Sequence, residues 1–318
     1  MILSIADIPA DLLEMVREKT GEMITVCEYR DNTEKALQLV QEAEILITWA
    51  YPVNEGLFHK IDDFKLGWIF SLSVGVDQMP FDRLKKQGTI LSTIKGLSRS
   101  NVSEHILSMM LAFSRQLHKN FRSQQKRMWD ASIPVDELTG KTLCIVGTGS
   151  IGVETAKKAK AFGMRVIGVN RHPRETPDFD MVFDVRDRYS AFAIADYIVV
   201  VVPLTDETYH MIDEKSFDAM KNTAIFINAS RGDVIDEDAL IEALVTKKIA
   251  GAGLDVFHKE PLENESPLWD MENVILTPHR AGDSPLLIVR AMELFAESLL
   301  LYRKGCKVPN QIDLDKGY

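Results

Sequence analysis

The sequence predicts an α/β protein of two domains, each an open, doubly wound parallel sheet. Three observations carry that prediction: the length, the alternation of two hydrophobic periods, and a long helical stretch on either side of the second strand series. At 318 residues the chain is about two domains long, taking roughly 150 residues per domain. Short β-branched apolar runs alternate throughout with longer amphipathic ones, the pattern of strands and helices taken in turn. The short runs lack a polar face, as strands covered on both sides do. With 46% hydrophobic and 26% charged residues the usage is ordinary for a globular chain, which excludes disordered, collagen-like and coiled-coil architectures.

In the first third the expected strands are 2–5, 23–27, 45–48, 67–70 and 89–92, with helices such as 10–19 and 32–42 between them. A second series begins at Lys141, with strands at 143–146, 165–169, 197–202, 224–228, 253–256 and 274–276. The stretch 151–162 places Ile151, Thr155, Ala159 and Phe162 on one helical face. Six strands with helices between them are what a complete dinucleotide-binding, Rossmann-like domain needs. Helical stretches at 100–128 and 285–302 flank the series. The expected domains are therefore a discontinuous first domain, 1–98 plus 285–318, and a dinucleotide-binding domain, 99–284. No internal repeat, low-complexity tract or charge block interrupts this pattern.

Charge and cysteine usage narrow the partners. Lys and Arg number 37 against 47 Asp and Glu, for a net charge of −10. An acidic surface argues against nucleic acid and anionic membranes, which reward clustered cations, but not against a small anion held by one local Arg. Cys27, Cys144 and Cys306 stand far apart without a CxxC, so no metal site is expected, and sparse, unpaired thiols fit a reducing compartment. The N-terminus carries no basic segment before Asp7 and makes a poor signal peptide. The most apolar stretch, 197–202, is far too short to span a membrane. The expectation is a cytoplasmic protein.

The segment Gly147-Thr148-Gly149-Ser150-Ile151-Gly152 follows an expected strand and opens an expected helix. Its G-x-G-x-x-G spacing suits a pyrophosphate. Gly147 allows the tight turn, Gly149 lets backbone approach the anion, and Gly152 allows close helix–strand packing. The helix N-terminus adds unpaired N–H groups and partial positive charge. The next strand ends Gly168-Val169-Asn170-Arg171-His172-Pro173-Arg174, with no carboxylate before Glu175. An acid there reads the ribose 2′-OH of NAD, whereas Arg171 or Arg174 would attract a 2′-phosphate and Asn170 can bond either sugar. The sequence thus favours NADP(H) over NAD(H).

Three later strand ends each carry a reactive group: Arg231 in Asn228-Ala229-Ser230-Arg231-Gly232, Glu260 after Gly253-Leu254-Asp255-Val256, and His279 in Thr277-Pro278-His279. Strand ends are where open α/β sheets bind ligands. An Arg can grip a carboxylate with two parallel hydrogen bonds, and a His can exchange a proton near neutral pH. Alone each residue is ordinary; together on one dinucleotide-binding domain they form a specific set. His258 has nothing forcing its ring toward the cleft, His105 reads as interfacial on its helix, and His59, His118, His172 and His210 read as surface or loop residues.

With these segments, and with Val202-Pro203-Leu204-Thr205 and Thr208, Gly282, Ser73-Val74-Gly75-Val76-Asp77 and Asn101-Val102-Ser103-Glu104-His105, the chain resembles the D-isomer-specific 2-hydroxyacid dehydrogenase family over nearly its whole length. That family includes glyoxylate/hydroxypyruvate reductases and phosphoglycerate dehydrogenases, and the resemblance implies that 1–98 plus 285–318 is the substrate domain, with the active-site cleft between it and the dinucleotide-binding domain. The resemblance implies an NAD(P)-dependent enzyme that moves a hydride between a nicotinamide cofactor and a small 2-oxo acid or D-2-hydroxy acid, mainly as a reductase. Arg231 would bind the substrate carboxylate and polarise the ketone, with backbone N–H groups of Val74 and Gly75 at the carboxylate's other edge. His279 would be the general acid, and Glu260 beside it would favour the imidazolium. Beyond the glycine loop, Val202, Pro203 and Thr208 would contact the dinucleotide. Ala229, Ser230, Arg231, Asp255, His279 and Gly282 would complete that site.

The same resemblance implies a homodimer, through the subunit-contact element that 100–128 resembles. Two departures are Cys144, where the family often has Gly, and Arg280, where many members carry a small or apolar residue. The chain ends near the family's minimal length, which weakens a feedback-controlled phosphoglycerate dehydrogenase. Formate oxidation on this fold pairs His with Gln, so Glu260 argues against it. The alternative from another class is a nicotinamide-nucleotide-sensing binding protein of the corepressor type. The substrate side chain would be read within 50–100, and Lys95, Arg99 and Arg280 are the candidates for a substrate phosphate.

Overall fold

The apolar runs of the first third fold into five short strands, which the computed structural model describes along with the rest of residues 1–54 and 56–316. Glu55, inside the stretch expected to read the substrate, and Gly317 and Tyr318, inside the expected substrate domain, lie outside the described residues. The chain divides into two compact units, Met1–Ser98 with Ser284–Tyr318, and Arg99–Asp283.

The first unit runs β1 (Ile2–Ser4), α1 (Ala10–Thr20), β2 (Ile24–Val26), α2 (Thr33–Glu42), β3 (Ile45–Thr48), α3 (Ala50–Asn54), β4 (Trp68–Ser71), α4 (Phe81–Gln87) and β5 (Ile90–Thr93). Its sheet has the order β2-β1-β3-β4-β5 and is parallel throughout. Every residue of β3 and β4 is buried, because helices cover both faces. The edge strand β2 is half-exposed. Asn32 starts α2 by accepting a hydrogen bond from the Lys35 N–H at 3.1 Å, which satisfies one of the helix's orphan donors. Four strands end in a fully buried hydroxyl residue, Ser4, Thr48, Ser71 and Thr93. Each hydroxyl closes locally on backbone: Ser4 donates to Ala6 O, Thr48 to Trp49 O and Ser71 to Ser73 O, while Thr93 accepts from the Lys95 N–H.

The second unit begins with α5 (Arg99–Ser114) and α6 (Leu117–Gln125), followed by β6 (Thr142–Val146), α7 (Ser150–Ala161), β7 (Arg165–Asn170), β8 (Met181–Asp184), α8 (Arg188–Ile194), β9 (Tyr197–Val200), α9 (Glu214–Asp218), β10 (Ile225–Asn228), α10 (Glu237–Val245), β11 (Gly251–Leu254) and β12 (Val274–Leu276). Its seven strands are parallel in the order β12-β11-β10-β9-β6-β7-β8. Strand order reverses between β6 and β9, the switch point at which such sheets bind ligands beyond the carboxyl ends of their strands.

Four local expectations need correction. The sheet has seven strands rather than six. Strand β8 is a half-buried edge strand flanked by Asp180 and ending in Asp184, so it shows no continuous apolar run. The stretch 100–128 is two helices, broken at Gln116, whose φ of 53° is left-handed; neither Gly nor Pro marks the break. Strand β11 lies two residues earlier than 253–256, because the small residues Gly251 and Ala252 are buried in the sheet. Phe162 is 40% exposed and sits past the end of α7, while Thr155 and Ala159 are fully buried.

After the second unit the chain returns to the first as α11 (Leu287–Arg303), which packs on α1. Phe295 of α11 stacks on Trp68 of β4 at a centroid distance of 5.3 Å. Arg303, at the helix end, pairs with Glu22 at 2.7 Å and with Glu44. Helix α11 therefore supplies half of the apolar layer over one face of the five-stranded sheet.

Candidate active site

The carboxyl ends of β10, β11 and β12 carry the polar groups. Past β10, Asn228 is buried and spends its whole side chain on the next turn. Its Oδ1 accepts from Ser230 N and Oγ at 3.0 and 2.7 Å, and its Nδ2 donates to Arg231 O at 2.9 Å. The turn then lies flat against the segment after β11, where a Cβ on Gly232 would come within 2.0 Å of the Phe257 carbonyl group. Only Gly permits that approach, and it places Arg231 close enough for its charge to act on both Glu260 and His279. The Arg231 guanidinium also donates to Ser230 O at 2.7 Å, which orients it.

His279 Nδ1 lies 2.6 Å from Glu260 Oε2. Glu260 Oε1 accepts the Phe257 N–H at 3.1 Å, so the carboxylate is anchored at its other edge. The His279 ring is 46% exposed, which leaves Nε2 free to face a ligand while Nδ1 holds the acid. The hydrogen bond to Glu260 lifts the His279 pKa above its usual value; burial and Arg231 oppose the lift, and the charges of Glu260 and Asp255 reinforce it. Burial works to raise the Glu260 carboxyl, but the His279 hydrogen bond and charge, the Phe257 N–H and Arg231 outweigh it and hold the group below its ordinary range. Both shifts favour an imidazolium–carboxylate pair.

His279 has a backbone φ of 53°, unusual for a residue with a Cβ. Such a conformation persists where its surroundings over-determine it, and here Asp255 does so. Its carbonyl accepts the His279 N–H at 2.8 Å. Its carboxylate, 1% exposed, accepts the Thr277 hydroxyl at 2.6 Å and the Arg280 and Ala281 N–H groups at 2.9 Å. The sequence offers Asp255 for the cofactor and no role for Thr277; in the fold both clamp the turn that carries His279. The pairing joins residues 22 positions apart, so only its composition was visible beforehand.

The glycine loop fits a dinucleotide phosphate. Gly147 has φ +106°, and a Cβ there would lie 2.9 Å from Val201 O; a Cβ on Gly152 would lie 2.1 Å from Gly147 O. A Cβ on Gly149 meets nothing within 4 Å, so this backbone faces open space at the start of α7, where no side chain caps the first turn. Thr148 is nearly buried, whereas Ser150 and Ile151 open the helix. At the end of β7, Asn170 Nδ2 donates to Thr148 Oγ1 at 2.5 Å and its Oδ1 accepts the His172 N–H at 3.0 Å. Asn170 thus ties strand to loop. Arg171 is ion-paired with Glu207. After β9, Thr208 Oγ1 donates to Pro203 O at 2.7 Å and accepts the Thr205 N–H at 2.8 Å, fixing the turn that follows Val202.

Other candidates fall elsewhere. The His105 ring is 20% exposed and its Nε2 lies 3.0 Å from Thr277 Oγ1. His258 pairs with Asp233 on the surface. Arg280 pairs with Asp283 at 2.7 Å. Ala229 and Ser230 lie in the Arg231 turn, and Gly282 O accepts from Asn101. Val74 and Gly75 belong to the first unit, on the loop after β4, with Val74 37% exposed. Burial pushes the Cys144 thiol pKa far up, leaving an inert core residue. Among the described residues no cluster of His, Cys, Asp and Glu could hold a metal ion, and no helix is long and apolar enough to cross a membrane.

Comparison with known proteins agrees with this arrangement. Residues 107–281 match the model of the D-isomer specific 2-hydroxyacid dehydrogenase, NAD binding domain. Over 283 residues the chain is 34% identical to a glyoxylate reductase of Korarchaeum cryptofilum, covering 87% of this chain and 85% of that one. A crystal structure of a D-isomer specific 2-hydroxyacid dehydrogenase family protein from Aeromonas salmonicida superposes with a TM-score of 0.87 at 34% identity, covering 99% of each chain. An NADPH-dependent glyoxylate/hydroxypyruvate reductase from Sinorhizobium meliloti, solved with NADP and sulfate, gives a TM-score of 0.81 at 25% identity over 100% of this chain and 99% of its own. The glycine loop at the switch point, the ionisable strand ends beside it and these likenesses agree: the chain belongs to the D-isomer specific 2-hydroxyacid dehydrogenase family.

Proposed function

We propose that the protein is a nicotinamide-dependent reductase of small 2-oxo acids, with Arg231, Glu260 and His279 as its reacting set. The observation that carries this reading is the 2.6 Å contact between His279 Nδ1 and Glu260, formed within reach of the Arg231 charge. The glycine loop, with Gly149 facing open space, would hold the dinucleotide pyrophosphate. When bound, the nicotinamide supplies the hydride.

The chain's own groups do the rest. Arg231 binds the substrate carboxylate and draws the ketone oxygen toward its charge. Nε2–H of the His279 imidazolium donates its proton to that oxygen as negative charge develops. Glu260 holds the ring through Nδ1 and favours its protonated form, which suits reduction over oxidation. Asp255 and Thr277 hold the His279 turn in place.

Glyoxylate and hydroxypyruvate are the first substrates to try, since relatives on both the sequence and structure side carry those names. The absence of an acid at the end of β7 and the presence of Arg171 support NADP(H) over NAD(H). Exposed apolar side chains gather in one segment, with Phe121 61%, Met128 57%, Trp129 98% and Val135 54% exposed. That segment supports homodimer formation, which sedimentation velocity would test: a strictly monomeric species at micromolar concentration overturns it. Nothing in the site favours a nucleotide-sensing corepressor.

The decisive experiment is a spectrophotometric screen of glyoxylate, hydroxypyruvate, pyruvate and branched 2-oxo acids with NADH and NADPH in parallel. Oxidation of either nucleotide by at least one acid is expected. Tight nucleotide binding with no turnover on any of them would overturn the enzyme reading.

A further inference from the structure

At the end of β7 the tertiary structure adds what the strand itself lacks. The sequence places no carboxylate there before Glu175, but the fold brings Glu207 onto the Arg171 guanidinium as an ion pair. Glu207 rides on the turn after β9, which is not free to swing. The Thr208 hydroxyl pins it to Pro203 O and to Thr205 N, and the Thr208 and Tyr209 N–H groups donate to Thr205 O at 3.0 and 2.9 Å. Asn170, the other polar side chain of the strand end, is committed to Thr148 and the His172 N–H.

We infer that Glu207 is a cofactor-selecting residue: its carboxylate, ion-paired with Arg171, competes with and repels the 2′-phosphate of NADPH, so the pocket accepts NADH as well. The inference rests on the reading above that the adenosine ribose lies at the end of β7. A 2′-phosphate carries close to two negative charges near neutral pH, as phosphate monoesters do. It gains from Arg171 and loses from the adjacent carboxylate, which already takes up part of the guanidinium charge through Nη1. A ribose 2′-OH carries no charge and can donate to the same carboxylate, the role that a strand-end acid has in NAD-binding folds. Here that acid comes from a different strand's loop. Arg171 and Glu207 are both well exposed, with side chains 44% and 66% accessible. An exposed pair of this kind is weak enough for a phosphate to break, so the selection is graded rather than absolute.

The test uses the full-length protein and two probes of each class: NADPH and NADH followed by fluorescence, and 2′,5′-ADP and 5′-AMP followed by calorimetry. Glu207→Gln removes the charge and keeps the shape. It is expected to tighten NADPH and 2′,5′-ADP about fivefold, the scale of an exposed ion pair, and to leave NADH and 5′-AMP unchanged or slightly weaker. Arg171→Ala is measured beside it. Loss of 2′,5′-ADP affinity in Arg171→Ala, with no change or an equal shift of both cofactor types in Glu207→Gln, overturns the role of Glu207 and leaves the ribose placement standing. An Arg171→Ala protein that binds all four probes like wild type overturns the ribose placement, and the inference with it. Thermal midpoints within a degree or so of wild type are expected for both variants, given their exposure.

Discussion

The two units solve the same folding problem with different residues at the strand ends. Both are parallel, doubly wound sheets buried on both faces. In the five-stranded sheet, Ser4, Thr48, Ser71 and Thr93 finish their strands with hydroxyls that close on the nearest backbone and go no further. In the seven-stranded sheet Asn228 at the end of β10 also bonds only its own turn, but Asp255 and Thr277, after β11 and β12, bond across two turns, and the exposed groups these residues position are ionisable. Architecture is shared; chemistry is local to the ends where long-range polar contacts hold charged side chains toward solvent.

That contrast can be broken at several points. The largest effect is expected at His279. His279→Ala should lower kcat about a hundred- to ten-thousandfold, the range of a lost general acid, with NADPH affinity retained in a fluorescence titration. Turnover near wild type would remove the residue from the mechanism.

Next is Glu260→Gln, read as a pH profile. Glu260 raises the His279 pKa, so the protonated ring needed for reduction persists to higher pH and is lost as pH rises through the raised value. Without the carboxylate charge that loss comes earlier, and the alkaline limb of kcat/KM should move to lower pH. A limb that stays in place would show that the pair does not control protonation.

Asp255→Asn tests the clamp. An amide cannot accept the Thr277, Arg280 and Ala281 donors together, and about 2 kcal/mol of stability should be lost through unsatisfied buried groups. Chemical denaturation measures it, and a loss of kcat beyond any change in cofactor affinity is expected in the folded variant. The smallest effect belongs to the first unit. Thr48→Val should cost about 1 kcal/mol from one lost local hydrogen bond and leave the pH profile untouched. A shifted profile would mean that the hydroxyl-capped ends are not chemically silent.

Much of this was legible in the sequence. Strand β3 was read to the residue and most others to within one or two, because a parallel sheet buries both faces and leaves continuous apolar runs such as Ile45–Thr48. The exceptions have physical causes. Strand β8 is an edge with acid at each end, and the helix break at Gln116 uses a residue type that announces nothing. Within the candidate site, the sequence marks Arg231, Glu260 and His279 by their places after strands. The clamp of the His279 turn is not legible, since Asp255 and Thr277 act through contacts between separate turns. The Glu207 contact is hidden for the same reason: it lies 36 residues beyond the Arg171 it meets.

The return of α11 to the first unit sets an order on synthesis. Trp68 and Phe70 leave the ribosome within the first quarter of the chain, yet the aromatic ring that covers them, Phe295, comes more than two hundred residues later. The intervening unit, Arg99–Asp283, carries all of its own strands and helices in one continuous segment. It can therefore close first during translation, while the amino-terminal sheet waits with part of one apolar face open beside α1, the kind of surface that chaperones recognise on nascent chains.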